Sequence, residues 1–305
     1  MPAILFSFPN YEHLGQPLAA IGGVRARKFA VTRFDNQELC ARVEGTVSRQ
    51  ACWILGSVAP PDEQMLSLML LAHTLKKDGA GRVTAILPYL GYSRQDKNKP
   101  GESLAAAWLG SALQISGVDE VLTVDVHSER DAALFRIPLI SLSTADLFAA
   151  ALRQWQLTDA TIVAPDNGAI GRCEAVRRAA GMPVADIPYF KKRRTEQGIT
   201  HQGPIGPVGR RVVIVDDILD TGGTLVSAGE KLCAANVEEI YIFVTHGLFT
   251  GTVWTRLWAL GVKRIFCTDT VPLPAGLEAA KITVLPVAPL LGERLSYMLG
   301  KQGRE

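Results

Sequence analysis

The densest run of chemistry in the sequence is Val212-Val-Ile-Val-Asp-Asp-Ile-Leu-Asp-Thr-Gly-Gly-Thr224. Apolar residues of strand type run straight into two adjacent carboxylates, Asp216 and Asp217. A third, Asp220, precedes the turn Thr221-Gly222-Gly223-Thr224. Paired glycines let the backbone approach a ligand closely and adopt dihedrals closed to other residues. Free N–H groups at the start of a following helix, at the positive end of its dipole, bind phosphate. The carboxylates would repel that phosphate, so they need a different partner. An ionised aspartate only accepts hydrogen bonds, and vicinal sugar hydroxyls donate them. A sugar phosphate meets both needs: its phosphate on Asp220, Thr221, Gly222, Gly223 and Thr224, its ring hydroxyls on Asp216 and Asp217, with Mg2+ beside the acids. The stretch has neither the Gly-Lys-Ser/Thr of a Walker A loop nor a G-x-G-x-x-G dinucleotide turn. The plainer alternative is a strand-to-helix turn with solvated acids; an acid pair directly after a buried strand argues against it.

These groups need a frame. Short β-rich runs at 52–55, 83–87, 121–126, 161–164, 212–215, 240–245 and 265–268 alternate with helical patterns at 64–77, 103–115, 144–156, 169–180 and 225–235. Most of the strand runs are continuously apolar, as expected for strands covered on both faces. The alternation predicts a parallel α/β sheet, with ligands at the carboxyl ends of its strands. An internal echo suggests duplication. Val118-Asp-Glu-Val-Leu-Thr-Val-Asp-Val-His127 can be laid over Val237-Glu-Glu-Ile-Tyr-Ile-Phe-Val-Thr-His246, each strand ending in histidine. The expected architecture is therefore two tandem α/β domains, residues 1–143 and 144–305, joined near 138–144, with the last residues packing back on the first domain. Where the second half has its acid pair and glycine turn, the first has the longer polar loop Pro88-Tyr-Leu-Gly-Tyr-Ser-Arg-Gln-Asp-Lys97. The two halves should bind different things.

Composition narrows the class. The chain has 305 residues, 48% hydrophobic and 20% charged, which is ordinary for a globular protein. A formal net charge of +2 gives no bulk attraction to nucleic acid or membrane. Five widely spaced cysteines without a C-x-x-C pair favour free thiols in a reducing compartment. The start lacks the basic region of a signal peptide, and the most apolar helix candidate, 65–75, is too short to span a bilayer. The expectation is a soluble, cytoplasmic protein.

The acid and glycine run resembles the phosphoribosyl pyrophosphate (PRPP) motif shared by type I phosphoribosyltransferases and PRPP synthetases. Further stretches resemble the synthetases, the ribose-phosphate pyrophosphokinase family: Phe34-Asp-Asn-Gln-Glu38, the loop 88–97, Asp125-Val-His-Ser-Glu129, Ala164-Pro-Asp-Asn-Gly168, Lys192-Arg-Arg194 and Thr245-His-Gly-Leu-Phe249. They lie in family order and cover nearly the whole chain. The resemblance implies a phosphoribosyltransferase-like fold in both domains. It implies that ATP and ribose 5-phosphate give PRPP and AMP, the sugar O1 attacking the β-phosphorus, with Mg2+ as cofactor. ATP would meet Asn36, Gln37, Glu38, Arg94, Gln95 and Asp96. His127 and Asp166 would ligate or orient the metal. Lys192 and Arg194, on a loop at 190–207 read as a mobile lid, would stabilise charge on the transferring group. Lys191, Arg193 and His246 are left without a role. The family usually has glycine where Gln37 stands. A homo-oligomer, dimer or higher, is expected. The alternatives are a phosphoribosyltransferase that uses PRPP, or a non-catalytic regulatory relative of the synthetase.

Overall fold

The computed structural model describes residues 2–128, 130–195, 198–274, 276–277 and 281–302; for 192–195, 198–201 and 302 it describes the backbone alone. The chain divides into two compact units, Met1–Leu142 with Val287–Glu305, and Ser143–Pro286.

The first unit is built on a six-stranded sheet. Its order is Val24–Ala26, Ala3–Ser7, Ala51–Leu55, Arg82–Leu87, Glu120–Val124, Leu139–Leu142, and every neighbouring pair is parallel. Helix Asp62–Lys77 carries Asp62 and Glu63 in its first turn and Lys76 and Lys77 in its last, matching the helix dipole at both ends. It buries Leu68, Leu71, Ala72 and Leu75, a spacing of three and four that makes one apolar face. The same core takes in Leu109 and Leu113 of helix Ala105–Ile115 and the strand residues Ile4, Cys52, Ile54, Val83 and Val121. The terminal helix Ala288–Gln302 belongs to this unit too. Its Gly292 faces the start of the chain: a Cβ there would lie 3.5 Å from Ile21 Cδ1 and 3.9 Å from Leu18 Cδ2.

The second unit holds a five-stranded parallel sheet, Ile282–Leu285, Val262–Thr268, Glu239–Gly247, Arg211–Leu219, Thr161–Val163. Strand alternation sends Val212 and Ile214 into one apolar cluster and Val213 and Val215 into another. Both faces of this strand are therefore covered, which is why its sequence reads as a continuous apolar run. Both units are parallel α/β sheets, as the alternation of elements predicts.

Several local expectations need correction. The joint expected at 138–144 holds the division between the units, after Leu142, but it also contains an edge strand that the pattern did not show, Leu139–Leu142, paired with Glu120–Val124. Four residues after a proline gave too little pattern to read. The presumed loop at 190–207 is an antiparallel hairpin, Tyr189–Thr195 with Gly198–Ile205. Its basic run and glycines hid the strand pattern. The two echo histidines are not equivalent. Strand Glu120–Val124 stops three residues short of His127, which is exposed, whereas His246 is buried inside Glu239–Gly247. Asp216 and Asp217 lie within strand Arg211–Leu219 rather than beyond its end.

Candidate functional site

In the second unit strand Arg211–Leu219, next to the edge of the sheet, delivers Asp216, Asp217 and then Asp220 to the turn, and helix Gly223–Ala234 begins immediately after. Gly222 is the N-cap, with φ 85° and ψ 0°, and as a glycine it offers no capping side chain of its own. The first N–H groups of a helix have no intrahelical partner, so these are open to an anion. Gly222 is required twice over. Its φ is left-handed, and a Cβ would lie 2.6 Å from Trp254 Cβ and 2.7 Å from Trp254 Cα. At Gly223 a Cβ would meet only Thr221 Oγ1, at 4.0 Å, so the space in front of the helix is open.

The two acids have different surroundings. Asp217 is buried, and the guanidinium of Arg172 lies 3.8 Å from its Oδ1. Asp216 Oδ1 accepts from the backbone N of Asp217 at 3.0 Å. Burial of its carboxyl group, and then the charge of Asp217, hold Asp216 well above the ordinary carboxylate range, while Arg172 pulls the other way. Arg172 was not singled out from the sequence. The signal for it was a basic residue in the first turn of a helix, where a cation is out of place against the dipole unless an acid receives it. Helix Ile170–Ala179 supplies that position, and Asp217 supplies the acid.

Asp166 serves a local purpose as well as any ligand role. Its Oδ1 accepts from Gly168 N at 2.8 Å and Ala169 N at 3.2 Å, capping the turn Asn167–Ala169 that leads into helix Ile170–Ala179. Among the described residues, no three histidine, cysteine or carboxylate side chains converge as a metal cage. Mg2+ prefers oxygen, keeps several waters and is usually held by one or two carboxylates plus substrate phosphates. Asp166, Asp216, Asp217 and Asp220 each offer the oxygen donor that such a substrate-borne ion takes, one or two at a time. His127, in the first unit, is a softer donor than this cation favours.

Lys192 and Arg194 sit on hairpin strand Tyr189–Thr195, opposite His201 and Ile199. Their side chains lie outside the described residues, as does that of Arg193; Lys191 is exposed. His246 is held in a buried hydroxyl network, its Nδ1 2.8 Å from Thr270 Oγ1, with Thr268 and Thr245 alongside.

In the first unit, Asn36, Gln37 and Glu38 form the exposed tip of the hairpin Phe29–Arg33 with Leu39–Val43. Phe34 N donates to Glu38 O at 2.9 Å, and Glu38 N donates to Asn36 Oδ1 at 3.1 Å. Gln37 has φ 71°, a conformation that glycine takes freely and glutamine does not. A cavity of about 450 Å³ opens beside this tip, lined by Arg33, Gln37, Glu38, Leu39, Glu63, Leu66 and Leu70. Arg94 and Gln95 are exposed after the turn that begins at Gly91, and Asp96 is half-buried. Sequence reading missed the cavity wall, because Leu66 and Leu70 look like ordinary positions of an amphipathic helix.

Comparison with known proteins matches the two halves of the chain to two family models. Residues 3–117 match the family described as the N-terminal domain of ribose phosphate pyrophosphokinase, and residues 132–266 match the phosphoribosyl transferase domain. A ribose-phosphate pyrophosphokinase of Burkholderia pseudomallei is 32% identical over 289 residues, 93% of this chain and 90% of that protein. One from Caldanaerobacter subterraneus is 32% identical over 296 residues, 95% of this chain and 93% of that protein. Among solved structures, a phosphoribosylpyrophosphate synthetase from Mycobacterium smegmatis superimposes with a TM-score of 0.87 over 99% of this chain and 100% of that one. At 24% identity that likeness establishes the fold.

Proposed function

Because the chain belongs to the ribose-phosphate pyrophosphokinase family, we propose that it transfers the β,γ-diphosphoryl group of ATP to O1 of ribose 5-phosphate, giving PRPP and AMP for nucleotide biosynthesis. The observation that carries the assignment of ends is the glycine-capped helix start at Gly222–Gly223, three residues beyond the acid-bearing strand. The 5-phosphate seats on the N–H groups of the turn, with Thr221 and Thr224 hydroxyls beside it and Asp220 at its edge. Asp216 and Asp217 accept from the ring hydroxyls, and Arg172 supports Asp217 from behind. The sugar is then held at both ends, which fixes the direction from which O1 attacks. Holding two reactants in line removes much of the barrier to a displacement that needs little covalent chemistry from the protein.

The donor is assigned to the first unit. Arg94 offers a guanidinium plane for the adenine and Gln95 an amide for its edge; Asp96 and the hairpin tip Asn36, Gln37 and Glu38 complete the ATP contacts. Lys192 and Arg194 stabilise negative charge as the diphosphoryl group moves. Asp166 in the second unit and His127 in the first would each be a group to hold or orient Mg2+, which when bound would neutralise the phosphate oxygens. No helix among the described residues is long and apolar enough to cross a membrane. A cytoplasmic setting is supported by five free cysteines. Self-association is supported by exposed Phe34, Leu66, Trp108 and Ile115 on the first unit.

The test is to incubate the protein with ATP, Mg2+ and ribose 5-phosphate and quantify products. AMP and PRPP in equal amounts are expected. Turnover only with PRPP and a nucleobase would make it a phosphoribosyltransferase. Binding of both substrates without turnover would make it a regulatory relative.

A further inference from the structure

We infer that Tyr92 is a positioning residue for the nucleotide donor, a strut that fastens the turn bearing Arg94 and Gln95 between two helices. This rests on the proposed role of that pair in holding ATP. Tyr92 has φ 65°, a left-handed backbone in which a bulky aromatic residue is a genuine outlier. Such conformations persist only where the surroundings over-determine them, and they concentrate at functional sites.

The surroundings of Tyr92 do over-determine it. Its hydroxyl is hydrogen-bonded to Asp62, the first residue of helix Asp62–Lys77. Its ring meets Trp108 of helix Ala105–Ile115 edge-on, with centroids 6.1 Å apart. Its carbonyl accepts from Gln95 N at 3.2 Å, closing the turn through Ser93 and Arg94. Before it, Gly91 lies so close to the neighbouring loop that a Cβ would be 2.8 Å from Ala59 Cα. After it, the Gln95 side chain accepts from the Ser103 hydroxyl, and Gln95 O accepts from Ala106 N at 3.4 Å. The turn is pinned on both flanks, yet Arg94 and Gln95 stay exposed. Tyr92 is half-buried and its ring packs against the edge of the first unit's core, which adds a further anchor to this backbone. A turn fixed in advance presents the guanidinium plane and the amide in one orientation, and the nucleotide then binds without having to order it.

The experiment measures KM for ATP and for ribose 5-phosphate separately, with melting temperature as a check, in Tyr92→Phe, Tyr92→Gly and Arg94→Ala. Tyr92→Phe loses only the bond to Asp62. It is expected to raise KM for ATP about two- to tenfold, the range for one hydrogen bond, and to leave KM for ribose 5-phosphate unchanged. Tyr92→Gly suits the backbone better but removes the strut, so its KM for ATP should rise further. A merely structural role would lower the melting temperature without separating the two KM values. If Arg94→Ala raises KM for ATP and neither Tyr92 variant does, the strut is refuted while the donor site stands. If Arg94→Ala leaves KM for ATP unchanged, the donor assignment fails and the inference fails with it.

Discussion

Gly222 and Gly223 are neighbours, yet they should answer replacement by alanine in opposite ways. At Gly222 the backbone is left-handed, and the added methyl would sit 2.7 Å from a backbone atom, Trp254 Cα. The conformation costs about 1–2 kcal/mol, and overpacking against a part that cannot swing aside costs about 1–3 kcal/mol more. A total of ~2–5 kcal/mol lowers the melting temperature by roughly 4–20 °C in a unit of this size. At Gly223 neither cost applies: φ is ordinary and the nearest atom is 4.0 Å away. Alanine is the better helix former by about 0.5–1 kcal/mol, so Gly223→Ala should melt at the same temperature or slightly higher. Its methyl, however, projects into the open space assigned to the 5-phosphate. Losing one hydrogen bond to a charged group, about 1.5–3 kcal/mol, should raise KM for ribose 5-phosphate at least about tenfold. Thermal unfolding and initial rates with varied ribose 5-phosphate read the two effects separately. A Gly223→Ala protein with unaltered KM for the sugar would refute the phosphate seat. A Gly222→Ala protein as stable as the parent would refute the steric argument.

Three further outcomes are expected. Lys192→Ala should cut kcat by about 100-fold or more while ATP affinity stays near its original value, because the proposed contacts strengthen in the transition state; single-turnover rates and equilibrium binding decide it. Gln37→Gly relieves about 1–2 kcal/mol of left-handed strain but gives up to about 1 kcal/mol back through a looser unfolded chain. The melting temperature should therefore rise slightly, and a fall would mean that a contact of the Gln37 side chain outweighs the strain. Asp216 holds its proton more tightly in the folded than in the unfolded chain. Its contribution is then greatest below the ordinary aspartate range and is lost as pH rises toward the folded value. In metal-free buffer Asp216→Asn should melt higher than the parent at neutral pH and flatten this decline; identical pH profiles would contradict the assignment.

The repeating strands and helices were legible because each is a continuous apolar run or a spaced apolar face, and burial on both sides of a parallel sheet imposes that pattern directly. The glycine turn was legible because paired glycines permit close backbone approach and stand just ahead of a helical pattern. Other features were not. Leu139–Leu142 is too short to show a period. The hairpin Tyr189–Thr195 with Gly198–Ile205 carries charge on its first strand and a Gly-Pro pair on its second, so propensity argued for a loop while ladder pairing made strands. Arg172 and Tyr92 act through neighbours distant in sequence, Asp217 for one and Asp62 and Trp108 for the other. Pairing of that kind leaves no trace in spacing along the chain.

The helix Ala288–Gln302 has a consequence for synthesis. It completes the first unit, yet the whole of Ser143–Pro286 is threaded before it. During translation at about 5–20 residues per second, the first sheet emerges and then waits roughly ten to thirty seconds for its last helix. Throughout that interval the face around Leu18 and Ile21, where Gly292 will seat, lies bare. A nascent chain arrested anywhere within the second unit should therefore present that patch to whatever chaperone or partner samples it, and release of the full chain should close it.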